Sequence, residues 1–188
     1  MTAQGFALFK TAIGYCGIAW GEAGQGLAGV QLPEASAAAT RARMQARFAQ
    51  TPEVLPPAWV QLIIGRITAS LEGIHDDFAD IALDMTGVPP FNQRVYEVAR
   101  AIAPGQTLTY GDVAARLGEP GASRAVGQAL GHNPFAPVVP CHRVLAAANG
   151  SGGFSAGGGV STKLKMLEIE GARFGAQPGL FDGGAPAR

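Results

Sequence analysis

Thr109-Tyr110-Gly111-Asp112-Val113-Ala114-Ala115-Arg116-Leu117-Gly118, followed by Glu119-Pro120-Gly121-Ala122 and then Ser123-Arg124-Ala125-Val126-Gly127-Gln128-Ala129-Leu130, is the stretch that decides the fold of this 188-residue chain. Two short helical segments flank a turn rich in Gly and Pro. That is the outline of a helix-turn-helix, with the second helix in the recognition position. Helical hairpins without a nucleic-acid partner share this outline, so the surroundings must separate the two readings.

Immediately upstream, Val95, Val98, Ala99 and Ile102 recur at helical spacing and predict an amphipathic helix over Phe91–Ala103, stopped by Pro104-Gly105. Val88-Pro89-Pro90 is a stiff connector and the expected domain boundary. Before it the character changes. Ala12–Trp20 and Gly26–Leu32 are short apolar segments joined by Gly-Glu-Ala-Gly-Gln, which predicts a β-hairpin. The Ala- and Arg-rich Glu34–Gln50 predicts a helix with a solvated cationic face, Trp59–Leu71 a second helix, and the alternating Phe78–Met85 a third strand.

Composition narrows the class. The chain is 47% hydrophobic, ample for a packed core. No apolar run approaches the ~20 residues of a membrane span, and Met1-Thr2-Ala3-Gln4 has no cationic flank before an apolar run; a soluble, cytoplasmic protein is expected. Cys16 and Cys141 make no disulfide framework, and with His75, His132 and His142 they have no zinc-ligand spacing, so reduced thiols and no metal are expected. The zero net charge divides unevenly. Residues 1–90 hold five Lys/Arg against eight Asp/Glu, and residues 91–188 hold nine against six. The basic half is compatible with a polyanionic partner, although so small an excess also arises by chance.

Downstream, Phe135-Ala136-Pro137-Val138-Val139 leads into Pro140-Cys141-His142-Arg143-Val144, which sets a potential thiolate beside an imidazole and a guanidinium. A thiol with a pKa near ~8.5 is largely protonated at neutral pH, so a nucleophilic cysteine requires a base or a positive field. His142 is the obvious base. Cys16, inside a predicted strand, reads as a core residue. Gly152–Gly159 has no strand and no Walker lysine to make it a phosphate loop.

Pro89-Pro90-Phe91, Thr109-Tyr110, Ser123–Gly127, Asn133-Pro134, Pro140–Val144, Gly153-Phe154-Ser155 and Glu170-Gly171, in this order, resemble the DNA-binding and catalytic domain of the O6-alkylguanine-DNA alkyltransferases. The resemblance implies an α/β architecture: a small antiparallel sheet with helices over residues 1–88, a helical winged helix-turn-helix-like domain over 89–175, and a flexible tail over 176–188. It implies no cofactor, double-stranded DNA containing O6-alkylguanine as partner, no membrane, and a monomer. The implied activity is irreversible, single-use transfer of methyl or small alkyl groups from O6 of guanine, and O4 of thymine, to Cys141.

Roles follow from the resemblance residue by residue. Cys141 is the acceptor, His142 its base through a bridging water, and Glu170 fixes the imidazole; by pattern alone Glu170 would be a surface residue ending a Leu164–Ile169 helix. Tyr110 donates to the leaving base, where pattern alone reads a packing aromatic. Arg124 fills the space of a base rotated out of the stack, with Ser123, Ala125 and Gly127 along the same DNA-binding helix. An ordinary phosphate-binding arginine is the plainer reading of Arg124. Leu130, Val144, Phe154 and Ser155 line the base pocket, and Asn133 braces a hinge between recognition helix and nucleophile. Phe154 stands where many relatives have tyrosine. A lesion sensor that binds without transfer is the alternative; such relatives carry tryptophan in place of the cysteine. A helix-turn-helix regulator would leave Pro140–Val144 and Glu170 unexplained, and nothing suggests the oxyanion hole of a cysteine hydrolase.

Overall fold

The computed structural model describes residues 3–146 and 159–172. It begins with an antiparallel sheet, β1 (Gly5–Thr11), β2 (Gly14–Trp20) and β3 (Leu27–Gln31), in that spatial order. β2 and β3 are the predicted hairpin, but β1 is a strand that the sequence reading did not separate. Its register, Gly5 opposite Trp20 through Thr11 opposite Gly14, leaves a two-residue turn braced by Thr11 Oγ1, which donates to Gly14 O at 2.8 Å.

Alternation along these strands buries both sheet faces. Phe6, Ala19 and Ala28 pack with Met44 and Phe48 of α1 (Ala37–Arg47). Ala7, Phe9, Cys16, Ile18, Trp20 and Val30 point the other way, into a core shared with the second half of the chain. Cys16 is fully buried, and burial pushes its thiol up to about 12, which makes it inert. α1 starts at Ser36, whose hydroxyl accepts from Ala39 N at 3.1 Å. Its cationic face is only partly solvated. Arg47 turns inward, donating to Pro134 O at 2.8 Å and to Val30 O at 3.4 Å.

α2 (Ala58–Ser70) follows, close to the predicted span. The expected strand at Phe78–Met85 is absent; only Leu83 makes a bridge, to Leu27. The cause is local. Asp76 Oδ1 accepts from Phe78 N, Phe78 adopts a positive φ of 54°, and Arg100 Nη2 collects the carbonyls of Phe78, Ala79 and Ile81 at 2.6, 3.1 and 2.9 Å. Carbonyls aimed at one guanidinium are unavailable to a ladder.

α3 (Pro90–Arg100) begins with proline at its first position and buries Val95, Tyr96 and Ala99. β4 (Leu108–Thr109) then leads directly into α4 (Tyr110–Arg116). Thr109 and Asp112 form a reciprocal cap, with Thr109 Oγ1 accepting from Asp112 N at 3.0 Å and Asp112 Oδ2 from Thr109 N at 2.8 Å. Gly118, at φ 76°, ends the helix with Glu119 N bonded back to Ala114 O. α5 (Ser123–Gly131) packs against α4 and α3, where Tyr96 Oη donates to Ala129 O at 2.9 Å. A one-turn helix at Cys141–Arg143, β5 (Val144–Leu145) and α6 (Gly159–Ile169) complete the described chain. β4 and β5 pair in parallel, Leu108 opposite Val144 and Thr109 opposite Leu145. The predicted α/β architecture with a helix-turn-helix is therefore present.

Candidate active site

Cys141 opens the one-turn helix that follows α5, and Asn133 braces the chain between them from within. Asn133 Nδ2 donates to Val139 O at 2.7 Å while its Oδ1 accepts from Phe135 N at 2.9 Å. Val30 N bonds to Pro134 O at 2.9 Å, tying this turn to the sheet. Asn133 thus braces the turn between α5 and Cys141.

Cys141 is 7% exposed. Burial raises its thiol pKa; a hydrogen bond from Asn133, the charge of Lys163 and the backbone N–H groups of Cys141 and His142 act in the opposite direction. Next to it, His142 is buried, with Nε2 2.9 Å from Glu170 Oε1. Burial alone would raise the Glu170 carboxyl, but hydrogen bonds from His142 and Arg143 hold it down at about 2. An ionised carboxylate only accepts, so Nε2 carries the ring proton and Nδ1 presents a lone pair. Among the described residues Nδ1 has no hydrogen-bond partner. Burial lowers the His142 pKa, opposed by Glu170, so the ring is held neutral with Nδ1 open to accept a proton.

The sequence reading joined Glu170 to His142 but missed the rest of its shell. Arg143, 1% exposed, donates from Nε and Nη2 to the Glu170 carboxylate at 2.8 to 3.2 Å and from Nη1 to Ile102 O. Gly105 N adds a bond to Glu170 Oε2 at 3.3 Å, and His75 Nε2 lies 3.2 Å from Glu170 O. Lys163 was missed entirely. It is fully buried on α6, donates from Nζ to Val144 O at 2.7 Å and lies 5.7 Å over the Tyr110 ring. Burial lowers its pKa to about 8, with Cys141 pulling the other way. The available signal was its spacing: Lys163 falls with Met166, Leu167 and Glu170 on one helical face.

The remaining predicted residues separate by position. Tyr110 opens α4, its pKa raised by burial and by Cys141. Gly127 lies beneath it: a Cβ there would sit 3.9 Å from the Tyr110 ring. Leu130 and Val144 are buried in the core that contains Cys141. Ser123 and Arg124 are exposed at the start of α5, and Ala125 is half-buried. No side chain caps that helix N-terminus. Phe154, Ser155 and the Gly-rich run lie outside the described residues, as does the predicted tail. No group of three metal-ligating side chains occurs among the described residues, and none of their helices is long and apolar enough to cross a membrane.

A helix-turn-helix that carries, a few residues beyond its second helix, a cysteine beside a carboxylate-held imidazole defines a class: DNA-directed proteins with a cysteine centre. Residues 90–172 match the family described as the DNA-binding domain of 6-O-methylguanine DNA methyltransferase. The methylated-DNA–protein-cysteine methyltransferase of Mycobacterium bovis is 43% identical over 119 residues, 63% of this chain and 70% of that protein. That of Methanothermobacter thermautotrophicus is 39% identical over 122 residues, 65% of this chain and 67% of that protein. The structure of Mycobacterium tuberculosis OGT in complex with DNA superposes with a TM-score of 0.70 at 34% identity, covering 88% of this chain and 92% of that one. The chain belongs to the methylated-DNA–protein-cysteine methyltransferase family.

Proposed function

We propose that this protein reverses alkylation damage in duplex DNA by moving the alkyl group from O6 of guanine, and from O4 of thymine, onto its own Cys141. The observation that carries this reading is the 2.9 Å bond between His142 Nε2 and Glu170 Oε1, which leaves Nδ1 as a base beside a cysteine at the back of a helix-turn-helix. His142 Nδ1 takes the Cys141 proton through a bridging water, and Glu170 stabilises the resulting imidazolium. The Sγ–C bond forms as the C–O6 bond breaks, and the electron pair departs with guanine. Tyr110 supplies a proton or hydrogen bond to that anion. Lys163, close enough to act on the charge of Cys141, favours the thiolate.

A base within the duplex is out of reach of a buried thiol, so the lesion is rotated out of the stack at a cost of a few kcal/mol. Arg124, exposed at the start of α5, enters the vacated space. The uncapped N–H groups of that helix, with Ser123 and Ala125, suit phosphate oxygens. Gly127 faces the Tyr110 ring, Leu130 and Val144 wall the pocket, and Asn133 holds the hinge. The same reading gives Phe154 and Ser155 places in the pocket wall. It also divides the chain at about residue 88, needs no cofactor, and has a monomer acting in the cytoplasm.

The test is incubation with duplex DNA containing O6-methylguanine, followed by peptide mass measurement. One methyl mass on the Cys141 peptide, absent in Cys141→Ala although that variant still binds the lesion, is the expected result. An unmodified Cys141 after proven binding would exclude transfer and leave lesion sensing.

A further inference from the structure

Once the alkyl group is bonded to Sγ, it must occupy space that adjoins Cys141. Cys141 lines a cavity of about 220 Å³ between β3, α1 and the hinge after α5. For scale, a core cavity of ~150 Å³ is sufficient to hold benzene. A methyl group leaves most of this space empty.

Besides the polar side chains of Gln31, His132 and Asn133, the walls are of two kinds. Val30, Leu32 and Ala136 are apolar, whereas Arg43 and Arg47 bring two guanidinium groups. Arg47 reaches the cavity because β3 has Gly29 where its guanidinium lies; a Cβ there would overlap Nη2. The two hydrogen bonds it makes among the described residues go to carbonyls, and none of the described carboxylates pairs with Arg43 or Arg47. Burial and the neighbouring charge of Arg43 lower the Arg47 pKa to about 10, the sign of a cation without an anion beside it. Two guanidinium groups beside a partly apolar wall suit a short carbon chain ending in an anion.

Resting on the alkyl-transfer reading, we infer that this cavity receives the transferred group and that Arg43 and Arg47 select O6-alkyl substituents ending in a carboxylate. The reaction is unchanged: Sγ–C forms, C–O6 breaks, and the electron pair leaves with guanine. The carboxylate takes no part in these bonds and is held by the guanidinium groups, so it is withdrawn from the thiolate it would otherwise repel.

The experiment compares duplexes carrying O6-carboxymethyl-, O6-(2-carboxyethyl)- and O6-(3-carboxypropyl)guanine with their neutral carboxamide counterparts, with O6-methylguanine as control. Each pair has nearly equal size and differs in charge. The expected result is carboxylate transfer faster than amide transfer by about tenfold for at least one chain length, with the ratio falling toward one in Arg43→Gln and in Arg47→Met. Because each ratio is taken within one protein, a variant that folds less well still reports it, and Arg43 is exposed enough to replace without disturbing the core. Methyl transfer with a wild-type ratio of one or less at every length, or a ratio unchanged by both variants, overturns the inference alone. Absence of methyl transfer from the wild type overturns the alkyl-transfer reading and this inference with it.

Discussion

At Glu170 one carboxylate meets the imidazole of His142 and the guanidinium of Arg143, all three nearly removed from water. Removing one member of such a cluster leaves the others buried without their partner, at a cost of about 3 to 5 kcal/mol. Glu170→Gln is therefore expected to lower unfolding free energy by that order. It should also slow transfer per folded molecule by about 100-fold or more, since the His142 tautomer is no longer fixed. Denaturant unfolding and single-turnover kinetics separate the two effects.

The pH dependence follows from the same shifts. Glu170, held at about 2, contributes stability that is complete above its ordinary value of 4.5 and is lost as pH falls through 2. His142, with its pKa lowered in the fold, adds a loss that begins below 6.5. Lys163 has the opposite consequence. Its pKa of about 8, against 10.5 when unfolded, means that burial of its charge costs stability below pH 8 and that this cost is relieved between 8 and 10.5. Stability measured across pH 8 to 10.5 should therefore rise relative to Lys163→Met; a constant difference between the two proteins over that window would contradict the assignment.

Cys141 and His142 were legible because a thiol and an imidazole are adjacent in the chain. Arg143 sits in the same five residues, yet its role was not readable: whether an arginine meets water or a buried carboxylate depends on a contact 27 residues away. Lys163 was hidden by convention. Lysine on a helix ordinarily reads as a solvated face, and only tertiary burial turns it inward.

At the scale of elements, the helix-turn-helix was legible because its boundaries are written in side-chain chemistry. Thr109→Ala removes one half of the cap on α4, and Gly118→Ala places a Cβ at φ 76°. Each should cost about 1 kcal/mol, read as a shift in denaturation midpoint at unchanged slope. The failed strand at Phe78–Met85 has the complementary explanation. Its alternation is real, but the backbone is claimed by Arg100, distant in sequence and invisible to periodicity. Arg124→Ala belongs to this scale as well. If Arg124 fills the vacated stack, transfer from lesions in duplex DNA should fall by about 10-fold or more, while transfer from the free O6-alkylguanine base stays within about twofold. Equal loss on both would place Arg124 in the chemistry of the pocket.

Across the whole molecule, one hydrophobic core runs from Ala7 and Phe9 in the sheet through Val95 and Val126 to Cys141 and Met166. The two halves read from composition are thus not independent in packing, which composition had no means of showing. Unfolding should follow one transition by both tryptophan fluorescence and far-ultraviolet dichroism. The zero net charge also bears on DNA. Residues 91–188 carry an excess of three positive charges, and about three phosphate contacts would give a slope near −3 in log affinity against log salt, read from a salt titration.

The short parallel pairing of β4 with β5 has a mechanical consequence. Leu108 and Thr109 immediately precede α4, and Val144 and Leu145 immediately follow Arg143, so the root of the DNA reader and the segment beyond the nucleophile are cross-linked by backbone hydrogen bonds. Through this pairing, a displacement of the reading helices by a duplex is passed directly to the segment beside the thiol.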